Sequence, residues 1–171
     1  MIDIRILKKS DDRSSFSSGA IELDYYFQRF AGQNQFKHFV GTTYISTDDI
    51  KIFGFLTVST GSLMRDELPK NIQKKFPLYP LPILHISRLG VDVKYQNQGV
   101  GKELMVTAFK LSLELKEKFG CIGVVVDAKV EAVKFYKNLG FIELEVKRGV
   151  SKIHPLPIPM FMVMQTIEKA L

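Results

Sequence analysis

The sequence predicts an α/β (α+β) fold with a mixed central sheet of about seven strands and about four flanking helices. Two observations lead to this class. Segments rich in Ile, Val, Phe and Thr recur between turn-forming residues, and they alternate with segments that carry an apolar side chain every three or four residues. The length of 171 residues suits one domain, which we expect to span residues 1–171.

Seven segments have the composition of strands. In chain order they are Ile2–Leu7, Lys37–Ser46, Lys51–Thr60, Leu81–Val93, Cys121–Val126, Phe141–Lys147 and Met160–Thr166. Asp48 and Asp49 form a turn between the second and third segments. We therefore expect these two strands to pair as a hairpin.

Apolar periodicity predicts the helices. They are Ile21–Ala31, Leu63–Phe76 with Pro69 near its first turn, 99–119 and Val130–Leu139. The third is the clearest, because an apolar stripe runs from Val100 to Phe119 and Gly120 follows as a stop. Together with its flanking strands this helix predicts a βαβ unit with a right-handed crossover.

The composition is that of a folded soluble protein. With 46% hydrophobic and 25% charged residues, it excludes a disordered or fibrous chain. The single cysteine, Cys121, cannot form an intramolecular disulfide and fits a reducing compartment. His38, His85 and His154 are too scattered to predict a metal site. No secretory leader or membrane-spanning stretch is visible, so we expect a cytoplasmic location and no membrane partner.

The net charge is positive. Lys and Arg number 24 against 18 Asp and Glu, which gives a formal charge of +6. This excess favours anionic partners such as nucleotides, phosphorylated cofactors or RNA, without choosing among them. A solvated basic surface that binds nothing is the alternative.

A glycine-containing loop, residues 96–102 (QNQGVGK), joins the fourth strand to the longest helix. Glycines at such a junction let backbone N–H groups and the helix N-terminus surround an anion. The loop lacks two fixed positions of a Walker-type loop, and Leu104 stands where a dinucleotide fingerprint has its third glycine. A third pattern, Gln/Arg-x-x-Gly-x-Gly/Ala, is satisfied by Gln96, Gly99 and Gly101.

This loop resembles the acyl-CoA pyrophosphate loop of the GNAT superfamily of N-acetyltransferases. Residues 85–93 (HISRLGVDV) resemble that family's fourth strand, and residues 132–141 (AVKFYKNLGF) resemble its A-x-x-F-Y-x-x-x-G-F signature. The resemblance implies a GNAT fold whose sheet is splayed at strand four. The chain departs from the family pattern at Asn97, where many members have glycine, and at Lys129–Glu131, where many place an asparagine.

The resemblance also implies an activity. It is the direct transfer of acetyl from acetyl-CoA, as cosubstrate, to a primary amine, with no metal. Backbone groups of Leu89 and Val91 would contact the pantetheine arm and the thioester. The residues implied to hold the pyrophosphate through their N–H groups are Gln96, Gln98, Gly99, Val100, Gly101 and Lys102.

Tyr136 of the signature is the general acid that the resemblance implies. A phenol with an ordinary pKa of about 10 is protonated at neutral pH and can protonate the departing thiolate. Simple packing beside Phe135 is the alternative role. The base stays open among His85, Glu22, Asp24 and a water chain.

Two segments resemble the toxin-like branch of the family. Residues 16–27 (FSSGAIELDYYF) look like its F-x-x-G-x-x-x-L-D-x-x-F pattern, and residues 88–92 (RLGVD) look like its G-R-L-A-V-D strand. Members of this branch acetylate the α-amine of aminoacyl-tRNA and are usually paired with a small antitoxin protein. Family members are also often dimers, so a homodimer is a further expectation.

Arg88 would then face the acceptor, unless it pairs with Asp92 or Asp24. Two other functions stay open: acetylation of a small-molecule, polyamine or protein amine, and a non-catalytic GNAT fold that binds acyl-CoA. Basic side chains that suit tRNA phosphates are Arg65, Lys70, Lys74, Lys75, Lys147, Arg148 and Lys152. A solubilising basic face would explain them equally well.

Overall fold

The structure is a computed structural model that describes residues 1–144 and 156–171. Its strands are β1 (Asp3–Ile6), β2 (Thr42–Thr47), β3 (Ile52–Leu63), β4 (Leu81–Val91), β5 (Gly123–Ala128), β6 (Ile142–Glu143) and β7 (Ile158–Val163). Its α-helices are α1 (Ile21–Arg29), α2 (Ala31–Gln33), α3 (Lys70–Gln73), α4 (Val100–Lys118), α5 (Val133–Leu139) and α6 (Met164–Ala170). A π-helical turn covers Asn34–His38, and 3₁₀ turns cover Arg65–Glu67, Val93–Tyr95 and Val130–Ala132.

The strands form one mixed seven-stranded sheet in the order β1-β2-β3-β4-β5-β7-β6. β2 pairs antiparallel with both β1 and β3, and β7 pairs antiparallel with both β5 and β6. The predicted hairpin is confirmed, with Asp49 at a φ of 70° in its turn. The predicted mixed sheet with flanking helices is confirmed as well.

The predicted strand Lys37–Ser46 begins too early. Asn34–His38 is helical, and Phe39, at a φ of 57°, ends that turn in the left-handed region. Phe36 packs against the apolar cluster under α1, so its side chain serves a helix and not a strand. Strand β2 begins only at Thr42.

The C-terminal prediction is also wrong in part. The expected strand Met160–Thr166 ends at Val163, and Met164–Ala170 forms a helix that the periodicity did not predict. Met164 and Ile167 are both buried and lie three positions apart, which is a helical spacing. The segment of 7 residues is too short for that spacing to be recognised from the sequence alone.

Two further predicted elements are shorter than expected. Of the predicted helix Leu63–Phe76, only Lys70–Gln73 is α-helical, because β3 continues to Leu63. Pro69 occupies the position directly before the first residue of this short helix, close to where the sequence placed it. Of the predicted strand Phe141–Lys147, Ile142–Glu143 is a strand, and the part from residue 145 onward lies outside the described residues.

The chain divides into two compact units. The first unit comprises Met1–Ser59 and Ile86–Lys110, and the second comprises Thr60–His85 and Leu111–Leu171. One cluster in the first unit contains Leu7, Phe16, Leu23, Phe27, Ala31, Ile45 and Phe55. A cluster in the second contains Leu63, Leu68, Leu81, Ile83, Val125, Leu144 and Phe161. A single domain over 1–171 stays a prediction.

Of the helices formed by residues 1–144 and 156–171, none combines the length and the apolar character needed to cross a bilayer.

Candidate functional site

The loop between β4 and α4 has the backbone of an anion site. Asn97 and Gly99 lie in the left-handed region, at φ values of 63° and 89°. A Cβ at Gly99 would meet nothing within 4 Å, so its backbone conformation, and not lack of space, favours glycine there. The N–H of Glu103 donates to the Gly99 carbonyl at 3.1 Å as α4 begins. The N–H groups of residues 100–102 precede that bond and have no helical acceptor of their own.

The side chain of Gln96 anchors this loop. Its Nε2 donates to the Ser18 carbonyl at 2.9 Å and to the Val91 carbonyl at 3.0 Å. One lone pair of the Val91 carbonyl is therefore already engaged. The side chains of Leu89 and Val91 are half-buried at the end of β4. The sequence singled out Gln96 for its N–H group, whereas its amide side chain ties β4 to the segment before α1.

Asp92 holds the turn that leads into the loop. It is buried, and its carboxylate accepts the N–H groups of Ser17 at 3.1 Å and Lys94 at 3.0 Å. It thereby caps the 3₁₀ turn Val93–Tyr95. Sequence reasoning did not assign this role, although an aspartate directly before a turn is a typical capping signal.

Two strand glycines let the elements beneath the loop approach closely. A Cβ on Gly90 would come within 2.8 Å of a Phe55 ring carbon and 2.9 Å of a Leu23 methyl carbon. A Cβ on Gly54 would come within 2.9 Å of a Val100 methyl carbon. The start of α4 therefore packs closely on β3 at Gly54, while Gly90 on β4 leaves room for the side chains of Phe55 and Leu23. Sequence reasoning missed both residues, although a glycine inside a strand often marks such an approach.

Arg88 is exposed, and its guanidinium lies over the ring of Tyr26, at 4.7 Å from the ring centroid. The two carboxylates that might have paired with it, Asp24 and Asp92, accept backbone N–H groups of residues 17–18. Arg88 is thus held by an aromatic face and by an Nη1 bond to the Ser87 carbonyl at 2.9 Å, and its remaining N–H groups can donate to another acceptor.

Tyr136 lies on α5 in the second unit and is 4% exposed. Its ring meets those of Phe135 and Phe141 edge-on, at centroid distances of 5.1 and 5.5 Å. Gly140, at a φ of 110°, ends the helix. Burial raises the pKa of Tyr136 well above the ordinary value of a phenol. The hydroxyl therefore keeps its proton at neutral pH, as a proton donor must, and the ring also packs.

His85 pairs with Asp127 in the same unit. Its Nε2 lies 3.0 Å from an Asp127 carboxylate oxygen, and both side chains are partly exposed. A carboxylate in this position orients the imidazole and fixes which nitrogen carries the proton. Sequence reasoning named His85 among several bases but gave no role to Asp127.

Of the predicted tRNA-contacting residues, four lie in the described part of the chain and three lie outside it. Lys70, Lys74 and Lys75 are exposed, while the Arg65 guanidinium donates to the Phe76 carbonyl at 3.2 Å. The predicted contacts that lie outside the described residues are Lys147, Arg148 and Lys152.

Within residues 1–144 and 156–171, no three His, Cys, Asp or Glu side chains come together as a metal site would require. The first unit instead offers backbone N–H groups and the guanidinium of Arg88, and the second unit offers the phenol of Tyr136. These groups suit a phosphorylated cosubstrate and a proton transfer.

The chain matches the acetyltransferase (GNAT) domain family over residues 26–162. This protein belongs to that family. It is an acyltransferase whose cosubstrate is acetyl-CoA, as the loop and the tyrosine signature indicated.

The known proteins that this chain resembles include tRNA-acetylating toxins. A tRNA-acetylating toxin of Mycobacterium tuberculosis is 31% identical over 140 residues, covering 80% of this chain and 82% of that protein. The structure of AtaT complexed with acetyl-methionyl-tRNAfMet has a TM-score of 0.83 at 26% identity and covers 99% of each chain. The structure of AtaTR bound with AcCoA has a TM-score of 0.77 at 27% identity, covering 99% of this chain and 97% of the other.

Proposed function

We propose that this protein transfers the acetyl group of acetyl-CoA to the α-amine of an amino acid carried on tRNA. The observation that carries the proposal is the similarity to the mycobacterial tRNA-acetylating toxin across four-fifths of both chains. The structural likeness to AtaT with an acetylated methionyl-tRNA supports the same acceptor. Such an enzyme would act in the cytoplasm as a single domain, and a small antitoxin protein would restrain it.

In this proposal the loop 96–102 binds the cosubstrate. The N–H groups at the start of α4 and the partial positive charge of this 19-residue helix favour the pyrophosphate. Leu89 and Val91 offer backbone groups to the pantetheine arm and the thioester carbonyl. Gln96 contributes by holding the loop against β4 and the segment before α1.

Tyr136 is the proposed general acid. The acceptor nitrogen attacks the thioester carbonyl carbon, so that a C–N bond forms and the C–S bond breaks. The phenol proton passes to the departing thiolate. The acceptor nitrogen loses one proton to water, and water protonates the phenolate again before the next turnover. Burial raises the pKa of this phenol, so the proton is in place when the thiolate forms, although the same shift makes the phenol a weaker acid.

Arg88 is the proposed contact to the acceptor. Its guanidinium is held over the Tyr26 ring, which lowers the entropy that binding must remove. A guanidinium edge fits a phosphate or a carbonyl group near the aminoacyl end of tRNA.

The test is acetyl transfer from labelled acetyl-CoA to bulk aminoacylated tRNA. Deacylated tRNA is the control for the acceptor, and polyamines and small amines are run in parallel. Label on charged tRNA alone supports the proposal. Label on small amines or proteins and none on charged tRNA overturns the tRNA assignment and leaves an acetyltransferase of another amine.

A further inference from the structure

A second basic site lies on the first unit. It is a surface pocket of about 580 Å³, lined by Lys9, Arg13, Gly32, Gln33, Phe36 and Lys37. Three of these six residues are cationic and none is acidic. Nothing in the acetyl-transfer reaction as proposed above uses them.

Arg13 is fixed in this pocket by its surroundings. One guanidinium N–H donates to the Phe27 carbonyl at 2.9 Å, and the guanidinium lies 6.0 Å from the centroid of the Phe27 ring. A Cβ on Gly32 would come within 3.0 Å of the Arg13 Nη2 atom. The absence of a side chain at residue 32 therefore gives the guanidinium its place, and a guanidinium held in this way loses little entropy when it binds an anion.

Asp11 and Asp12 lie between Lys9 and Arg13 in the sequence, and both carboxylates form hydrogen bonds with other groups. Asp11 accepts both terminal nitrogens of Arg5, at 2.8 and 2.9 Å, and also the Lys8 N–H. Asp12 accepts the hydroxyl and the N–H of Ser14. The positive charge that lines the pocket is therefore not neutralised by the two carboxylates nearest to it in sequence.

The remaining lining groups suit a nucleotide. The Lys9 Nζ atom lies 5.5 Å from the centroid of the Phe36 ring, which keeps the ammonium group at the pocket. The amide of Gln33 lies 3.0 Å from the His38 ring nitrogen, so an amide and an imidazole stand side by side next to the cations. Cations contact phosphate oxygens without regard to sequence, and amide side chains can contact the edge of a base.

We propose that this pocket binds phosphodiester groups of RNA and, resting on the proposed function, that it holds part of the tRNA body during acetyl transfer. RNA is favoured over an acidic peptide because carboxylates would use only the three cations. A nucleotide would use the aromatic ring and the amide as well.

The test compares a Lys9→Met, Lys37→Met double variant with a Lys110→Met, Lys118→Met control, whose lysines are exposed on α4. Binding of deacylated tRNA is measured across a range of salt concentrations. The double variant should bind roughly tenfold more weakly near 0.1 M salt, and its log–log salt slope should fall by about 0.7–0.9 for each cation removed. The control should keep the slope of the wild type.

Three results would overturn the inference. A slope and affinity equal to those of the control would show that the pocket does not touch RNA. Weakened acetyl-CoA binding with an unchanged tRNA slope would assign the cations to a phosphate of the cosubstrate. Loss of polyglutamate binding with unchanged tRNA binding would assign them to an acidic peptide.

Failure of the proposed function would look different. Deacylated tRNA carries no acceptor amine, so the binding assay decides the pocket whether or not acetyl transfer occurs. A wild-type protein that binds tRNA through the pocket but acetylates no charged tRNA would sustain RNA binding by the pocket. It would overturn the proposed acceptor and, with it, the pocket's role during acetyl transfer.

Discussion

The loop 96–102 and the helix that carries Tyr136 differ in their exposure and in the chemical groups on which they depend. Residues 96–99 of the loop are exposed, and the loop depends on backbone conformation, with Asn97 and Gly99 in the left-handed region. Tyr136 is buried among aromatic rings and depends on one side-chain hydroxyl. Binding of the cosubstrate should therefore be sensitive to what is added to the loop, and acetyl transfer to what is removed from Tyr136. Substitutions in the two regions should separate affinity from rate.

The largest expected effect is that of Tyr136→Phe. Phenylalanine keeps the ring contacts with Phe135 and Phe141 but removes the proton donor, so kcat should fall by about 10²–10⁴ with the fold intact. The affinity for acetyl-CoA, measured by calorimetry, should stay that of the wild type. A variant that retains full kcat would reduce Tyr136 to a packing role.

Gly101→Glu should have the next largest effect, and it should change the affinity for acetyl-CoA, not kcat. A carboxylate in the first turn of α4 would stand where the cosubstrate's pyrophosphate is expected, and we predict roughly 100-fold weaker acetyl-CoA binding through charge repulsion. Val106→Glu is the matched control, because it adds the same charge at an exposed position of α4 beyond the first turn. Equal affinities of the two variants would contradict the placement of the pyrophosphate.

Gly90→Ala should destabilise the first unit. The new methyl group would overlap Phe55 and Leu23, and overpacking of this kind costs about 1–3 kcal/mol. Urea unfolding measures the change. An unchanged free energy of unfolding would mean that the side chains of Phe55 and Leu23 give way freely, and that their close approach to β4 does not depend on glycine at residue 90.

Gln96→Ala should have the smallest effect. It removes two hydrogen bonds at an exposed site, together worth about 1 kcal/mol, and we expect a few-fold rise in the KM for acetyl-CoA with kcat unchanged. Gln98→Ala, which removes only a 3.2 Å bond to the Lys94 carbonyl, is the control and should change KM less. A KM for Gln96→Ala no higher than the control's would show that the side chain does not position the loop.

The sequence predicted the elements that have a periodic apolar pattern or a turn motif. The 19-residue helix α4, the hairpin and the glycine loop are confirmed as elements, because their periodicity and turn residues are local signals. The α6 helix and the π-helical turn at Asn34–His38 were missed. Met164 and Ile167 of α6 are buried, and Phe36 of the π-helical turn packs against the apolar cluster of the first unit. Such contacts with other elements stabilise short helical segments that local periodicity does not reveal.

Roles that depend on contacts between distant segments were beyond the sequence. The bond from Gln96 to Ser18 joins residues 78 positions apart, and the His85–Asp127 pair joins residues 42 apart. The close contacts at Gly54 and Gly90 also join segments that are far apart in the sequence. Only the folded chain shows which of many glycines and polar side chains meet.

We propose that backbone N–H groups at the start of α4 hold acetyl-CoA. Amide hydrogen exchange of the wild-type protein, with and without saturating acetyl-CoA, measures this at the groups concerned. We predict slower exchange at residues 99–102 on binding, in the wild type and in Tyr136→Phe alike. Gly101→Glu should show less slowing at an acetyl-CoA concentration that just saturates the wild type. Protection elsewhere, with residues 99–102 unaffected in a protein that binds acetyl-CoA, would contradict the account.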